Sequence, residues 1–218
     1  MKHSVVINFK AYEEAIGKNA LKLAKICEHV AKNVKKIEIM ICVQASDIYQ
    51  IAKNVKIKVL SQHVDYHYGK FTGCISPISI KENGAYGSLL NHSEKPLDFE
   101  TIEKTIKECK KVGLKIVACA SNLEEAKKIA ELKPEYIAFE VPELIGTGNS
   151  ITKEKPESIK NFIKIVKGKS IPLCGAGIST REDFKTAIEL GTRGILISSA
   201  ITKSPNPKKA LMDIISIF

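Results

Sequence analysis

Arginine is almost absent from this chain. Of its 34 lysines and arginines only Arg181 and Arg193 are arginines, although the 218 residues carry a formal net charge of +10. Base readout and bidentate phosphate clamping lean on arginine, and here the lysines are scattered over helix-patterned stretches such as 103–111 without interleaved aromatics. The excess charge therefore reads as solvated helix faces. No nucleic-acid partner is expected, while a generally positive field favours small anionic ligands over cationic ones. No apolar run approaches the roughly 20 residues that span a bilayer, and Met1 leads into the strand-like Ser4–Asn8 without an apolar leader. The expectation is a soluble cytoplasmic protein with no membrane partner. The six cysteines (Cys27, Cys42, Cys74, Cys109, Cys119, Cys174) include no C-x-x-C pair and mostly sit in apolar contexts, as suits a reducing compartment rather than a disulfide framework or zinc site. No Pro/Gly/Ser-rich linker divides the chain, so residues 1–218 are expected to form one domain.

What the sequence does have is alternation. Apolar strands are expected at Val5–Phe9, Ile37–Val43, Ile57–Ser61, Ala85–Leu90, Leu114–Cys119, Tyr136–Phe139, Ile171–Cys174 and Gly194–Ile197. Amphipathic helices are expected at Tyr12–Asn33, Ala45–Asn54, Phe99–Val112, Asn122–Leu132, Lys153–Lys167, Thr180–Leu190 and Pro207–Ile217, with a short one at Pro77–Asn83. Near-continuous apolar strands separated by helices imply a parallel sheet buried on both faces. Eight such units point to an α/β protein, a closed (β/α)8 barrel in a short version. The doubly wound alternative lacks its G-x-G-x-x-G after the first strand, where Asn8-Phe9-Lys10 stands instead.

In such a barrel the ligand site gathers the residues just past the C-terminal ends of the strands. After the first strand, Asn8 and Lys10 alternate to one side and flank an outward Phe9. After the fourth, His92 sits in the polar cluster Asn91–Pro96 at the entrance to a helical turn, a placement that favours the neutral ring. After the sixth comes Glu140, followed six residues on by Gly146-Thr147-Gly148. Alone, that pair reads as a solvated carboxylate and a plain turn. Together with Gly175–Ile178 after the seventh strand and Ser198-Ser199-Ala200 after the eighth, the turn becomes one side of a three-sided phosphate cradle.

Asn8-x-Lys10, His92-Ser93-Glu94, Glu140 and Ile145-Gly146-Thr147-Gly148, in this order, resemble the triosephosphate isomerases along the whole chain. Ser61–Asp65, Thr72-Gly73, Gly87–Glu94 and Cys174–Ile178 are similar to the short archaeal branch, whose members have trimmed helices and usually form tetramers. The resemblance implies interconversion of dihydroxyacetone phosphate and glyceraldehyde 3-phosphate in glycolysis and gluconeogenesis, through an enediolate, without metal or organic cofactor. It implies Glu140 as the base, His92 as the neutral electrophile, Lys10 as the partner of substrate oxyanions and Asn8 as a positioning group. Glu94 would support Lys10 or relay a proton. Ile145, Gly146, Gly177, Ser198 and Ser199 would hold the phosphate, and Thr72 would reach a neighbouring subunit near its Asn8 in a homotetramer, or alternatively a dimer. Three places depart from the pattern: Val141 where proline usually follows the base, Ser198-Ser199-Ala200 where a glycine is common, and the loop Tyr66–Lys70. A second reading of the residues, a Schiff-base enzyme using Lys10, would require that amine to be deprotonated.

Overall fold

The computed structural model describes residues 2–217, and eight parallel strands close into a barrel in sequence order. They are β1 (His3–Asn8), β2 (Ile37–Val43), β3 (Lys58–Ser61), β4 (Gly87–Leu90), β5 (Lys115–Ala120), β6 (Tyr136–Phe139), β7 (Ile171–Cys174) and β8 (Gly194–Ile197). The helices are α1 (Gly17–Lys32), α2 (Ile48–Ala52), α3 (Pro77–Glu82), α4 (Phe99–Lys111), α5 (Leu123–Glu131), α6 (Ile151–Glu154), α7 (Pro156–Val166), α8 (Arg181–Glu189), α9 (Ser199–Thr202) and α10 (Pro207–Ile215). Closure is made by β1 against β8, with Val6 opposite Leu196.

The period of two sorts each strand's side chains. Val6, Met40, Cys42, Leu60, Leu89, Val117, Cys119, Ala138, Leu173 and Leu196 fill the barrel's interior as one apolar cluster. Their neighbours, among them Val5, Ile7, Ile39, Ile41, Ile137 and Phe139, face the helices in a second cluster, where Phe139 stacks on Phe162 of α7 at 5.1 Å. Two residues past an interior side chain, the strand has left the packed core. Asn8 follows Val6 and Glu140 follows Ala138 in this way, so both stand at the barrel mouth.

Four expectations shift, each for a local reason. The helix expected from Tyr12 begins only at Gly17, after a separate 3-10 turn at Glu13–Ala15 and an extended Ile16. The helix expected over Lys153–Lys167 is two, because Pro156 disfavours a helical Lys155, which sits at φ −138°, and then starts α7 as its first residue. Ser199-Ala200, expected in a loop, opens the one-turn helix α9. His92 does not stand at a regular helix N-terminus: α4 starts at Phe99, and His92 instead begins a turn closed by the Lys95 N–H on its carbonyl at 2.7 Å.

The segment after β7 is anchored by a capping box. Thr180 caps α8, and one oxygen of Asp183 accepts from the Ser179 and Thr180 N–H groups and the Thr180 hydroxyl at 3.1, 3.0 and 2.8 Å. Burial opposes the charge on Asp183, but these hydrogen bonds and Lys153 outweigh it and hold the carboxyl below its ordinary value of 3.8. A depressed value means the stabilisation is complete above pH 3.8 and disappears as pH falls through the folded-state value. Asp183→Ala is expected to cost about 2–3 kcal/mol near neutral pH, shrinking toward zero in acid. Urea titrations at a series of pH values check this; a pH-independent loss would rule out the charge as its source.

Candidate active site

The carbonyl ends of the strands surround a cavity of about 340 Å³ lined by Asn8, Lys10, His92 and Glu140 on one side and by Ile145–Gly148, Ala176–Ser179 and Leu196–Ser199 on the other. Every expected site residue except Glu94 lines it. Glu94 is placed behind Lys10, with its Oε1 at 3.0 Å from Nζ, and it lines a second cavity of about 360 Å³ that shares Asn8, Lys10 and His92 with the first.

Lys10 has a left-handed backbone, φ 51°, an uncommon conformation for a side-chain-bearing residue. Its N–H donates to the Asn8 Oδ1 at 2.9 Å, and its carbonyl accepts from Gln62 at 2.8 Å and Gln44 at 3.3 Å. Gln44 also donates to the Gln62 side-chain oxygen at 2.8 Å. The strained turn that delivers the ammonium is thus gripped on both sides, in part by a residue, Gln44, that no local pattern singled out.

His92 is 8% exposed and Glu140 6%. The Glu94 N–H donates to the His92 Nδ1 at 3.2 Å. An Nδ1 that accepts carries no proton, so a neutral ring has its hydrogen on Nε2, which lies 3.7 Å from the Glu140 Oε2. That Oε2 is buried and has no hydrogen-bond partner among the described residues.

Two features of the carboxylate's surroundings escaped the sequence. Cys119, read as a small hydrophobe, is hydrogen-bonded to Glu140; burial, and then this carboxylate, push its thiol far up, and the same two causes raise Cys42. Both thiols therefore stay protonated and form a neutral floor beneath the carboxylate. Gly175 is glycine because a Cβ there would lie 2.5 Å from the Glu140 Oε1 and 2.7 Å from its Cγ.

On the far side, Gly146, Gly148 and Gly177 all take positive φ, and Ala176 does so at 67°. The Ile151 N–H donates to the Ala176 carbonyl at 3.2 Å, which ties the end of the 141–150 loop to the turn after β7. The Ser198 hydroxyl is buried and without a hydrogen-bond partner among the described residues. Ser179 lines the cavity as well and was not foreseen. At Val141, φ is −82°, close to the range a proline would impose, so the departure at this hinge leaves the backbone path nearly the same.

Fold and site together define an α/β barrel with ionisable side chains and glycine-bearing turns gathered around one cavity at its mouth. The sequence matches the family model described as Triosephosphate isomerase over residues 3–218. It is 44% identical to a triosephosphate isomerase of Methanobacterium bryantii over 216 residues, covering 97% of this chain and 95% of the relative. It is 42% identical to one from Methanocaldococcus jannaschii over 215 residues (97% and 98%), and 43% identical to one from Archaeoglobus fulgidus over 217 (98% and 97%). The chain belongs to the triosephosphate isomerase family.

Proposed function

We propose that the protein interconverts dihydroxyacetone phosphate and D-glyceraldehyde 3-phosphate, acting as one domain. The observation that carries this reading is the buried Oε2 of Glu140, without a hydrogen-bond partner among the described residues, 3.7 Å from the His92 Nε2, with glycine-bearing turns lining the same cavity. Glu140 takes a proton from the carbon beside the substrate carbonyl. The His92 Nε2–H hydrogen-bonds the carbonyl oxygen, and Lys10 lies close enough to stabilise the enediolate's negative charge. The hydroxyl proton passes to the former carbonyl oxygen by way of the His92 Nε2, and Glu140 returns its proton to the adjacent carbon, so that the two oxygens exchange roles. Asn8 fixes the Lys10 turn, and Glu94 holds its ammonium. Ile145, Gly146, Gly177, Ser198 and Ser199 take the phosphate, whose binding energy, remote from the reacting carbons, holds the 141–150 loop over the site. A coupled assay with glyceraldehyde 3-phosphate tests the reading: absence of turnover in folded protein would remove it. The ion pair of Lys10 with Glu94 speaks against an imine, and a borohydride-trapped adduct at Lys10 would reverse that judgement.

Self-association as a homotetramer, with a dimer as the alternative, is supported by the segment after β3. There Phe71 is 55% and Tyr68 39% exposed, which is costly for large apolar side chains on an isolated molecule. The 360 Å³ cavity, lined by Gln44, Gln62, His63 and Lys95 beside Lys10, offers a receptor for such a loop from a second copy, with Thr72 near its Asn8. Light scattering of the intact protein is expected to give a multiple of the 24.0 kDa chain mass, and Phe71→Asp to lower it. A monomeric parent protein would defeat the idea. Cytoplasmic residence is favoured by six free cysteines, five of them buried. Among the described residues, no helix is long and apolar enough to cross a membrane.

A further inference from the structure

The strand that delivers His92 breaks the alternation that serves the others. Leu89 points into the barrel, so a regular continuation of β4 would aim Asn91 at the cavity and turn His92 outward. The reverse occurs. Asn91 takes a left-handed conformation, φ 58°, and His92 lines the site.

Asparagine tolerates this region better than most residues, but the conformation still costs energy and must be held by its surroundings. The Asn91 side chain, in a residue 6% exposed, has both its oxygen and its nitrogen engaged. Its Oδ1 accepts from the Leu97 N–H at 2.8 Å, closing the loop that carries the Glu94 N–H to the His92 Nδ1. Its Nδ2 donates to the Cys119 carbonyl at the end of β5, at 3.0 Å, and to Glu125 Oε1 on α5 at 2.7 Å. Glu125 is itself fixed, since its other oxygen accepts from the Ser121 N–H and hydroxyl, both at 2.7 Å.

The end of β5 also bears the other half of the site. The Glu140 N–H donates to the Ala120 carbonyl at 3.0 Å, next to the carbonyl that Asn91 grips. The imidazole and the carboxylate are thus referenced to two successive carbonyls of one strand end. Nothing else in the His92 turn reaches across to β5 with a side chain among the hydrogen bonds of the described residues.

We infer that Asn91, oriented by Glu125, is a positioning residue that sets the direction and tautomer of His92 and its spacing from Glu140. This rests on the isomerase reading above. Asn91 touches neither the cavity nor the reacting atoms; its effect passes through His92.

Asn91→Gly removes the amide and keeps a residue that adopts positive φ without strain, so the barrel is expected to fold. Its kcat with glyceraldehyde 3-phosphate should fall about 10- to 100-fold, the scale of a misplaced catalytic group, with KM held because the cradle is untouched. Nitrogen NMR of the His92 ring, with a single Nε2-protonated form in the parent protein, should show a mixture of tautomers. Asn91→Asp sets two carboxylates against each other and should also lower kcat. Adding Glu125→Gln restores a donor across that contact and should recover part of it. Parental kcat in Asn91→Gly, an unchanged His92 signature beside a reduced kcat, or no rescue in the double variant would each overturn the inference. If His92→Gln retains parental kcat, the isomerase role of His92 falls; an inactive His92→Gln beside a fully active Asn91→Gly removes only the positioning role.

Discussion

Glu140→Gln is expected to lower kcat about 10³- to 10⁴-fold while leaving the thermal midpoint and the binding of a phosphate-bearing analogue unchanged. The amide is nearly isosteric with the carboxylate, so it keeps the contact with the Cys119 thiol and the fit over Gly175, where the present side chain leaves no room for a Cβ. What it loses is a proton acceptor at the buried Oε2, which has no hydrogen-bond partner among the described residues. Glu140→Asp separates chemistry from geometry. It remains a base but draws back by one methylene, about 1.5 Å, from its place 3.7 Å from the His92 Nε2. A loss of about 10²-fold is expected there, less than for the amide. Parental turnover by Glu140→Gln would show that the proton is taken by some other group. Carbon-to-solvent hydrogen exchange, followed by NMR with unlabelled triose phosphate in deuterated water, distinguishes a lost proton transfer from a slowed product release.

How legible the site was in the sequence depends on how far each residue's role is local. Asn8 and Glu140 stand two positions past interior side chains, and a period of two carries directly from Val6 and Ala138 to the mouth. The glycine turn at 146–148 likewise announces its own backbone. His92 could be placed at a strand end, yet its direction could not, because a left-handed residue ahead of it reverses the alternation and asparagine does not enforce that turn by itself. Gln44 and Cys119 act across strands, on the Lys10 carbonyl and on Glu140, so no sequence spacing encodes them. The split between α6 and α7 is different. Pro156 signalled it in the sequence, and the helical pattern on either side masked the signal.

The other large effect is expected at Gly177, where the loop over the site meets the turn after β7. A Cβ built there would lie 1.9 Å from the Asn149 carbonyl oxygen and 2.5 Å from its carbon, and φ is 69°. Both atoms belong to backbone, so no side chain can swing away to make room. Gly177→Ala must therefore move the Asn149–Ser150 peptide outward, and with it the start of α6, which the Ala176 carbonyl holds through the Ile151 N–H. That displacement opens the proposed phosphate cradle at the point where the 141–150 loop is tied to the turn after β7. Backbone strain of about 1–2 kcal/mol lowers the thermal midpoint by only about 2–8 °C, whereas a phosphate site displaced by about 1 Å is expected to cost on the order of 100-fold in kcat/KM. Gly148→Ala is the informative control. Its φ of 81° imposes comparable strain, but a Cβ there meets nothing within 4 Å. If strain alone governs the loop, the two variants lose activity equally. If the seam between Gly177 and Asn149 sets the loop's resting position, Gly177→Ala loses far more, and the loss lies mainly in KM because Glu140 and His92 remain where β6 and β4 put them.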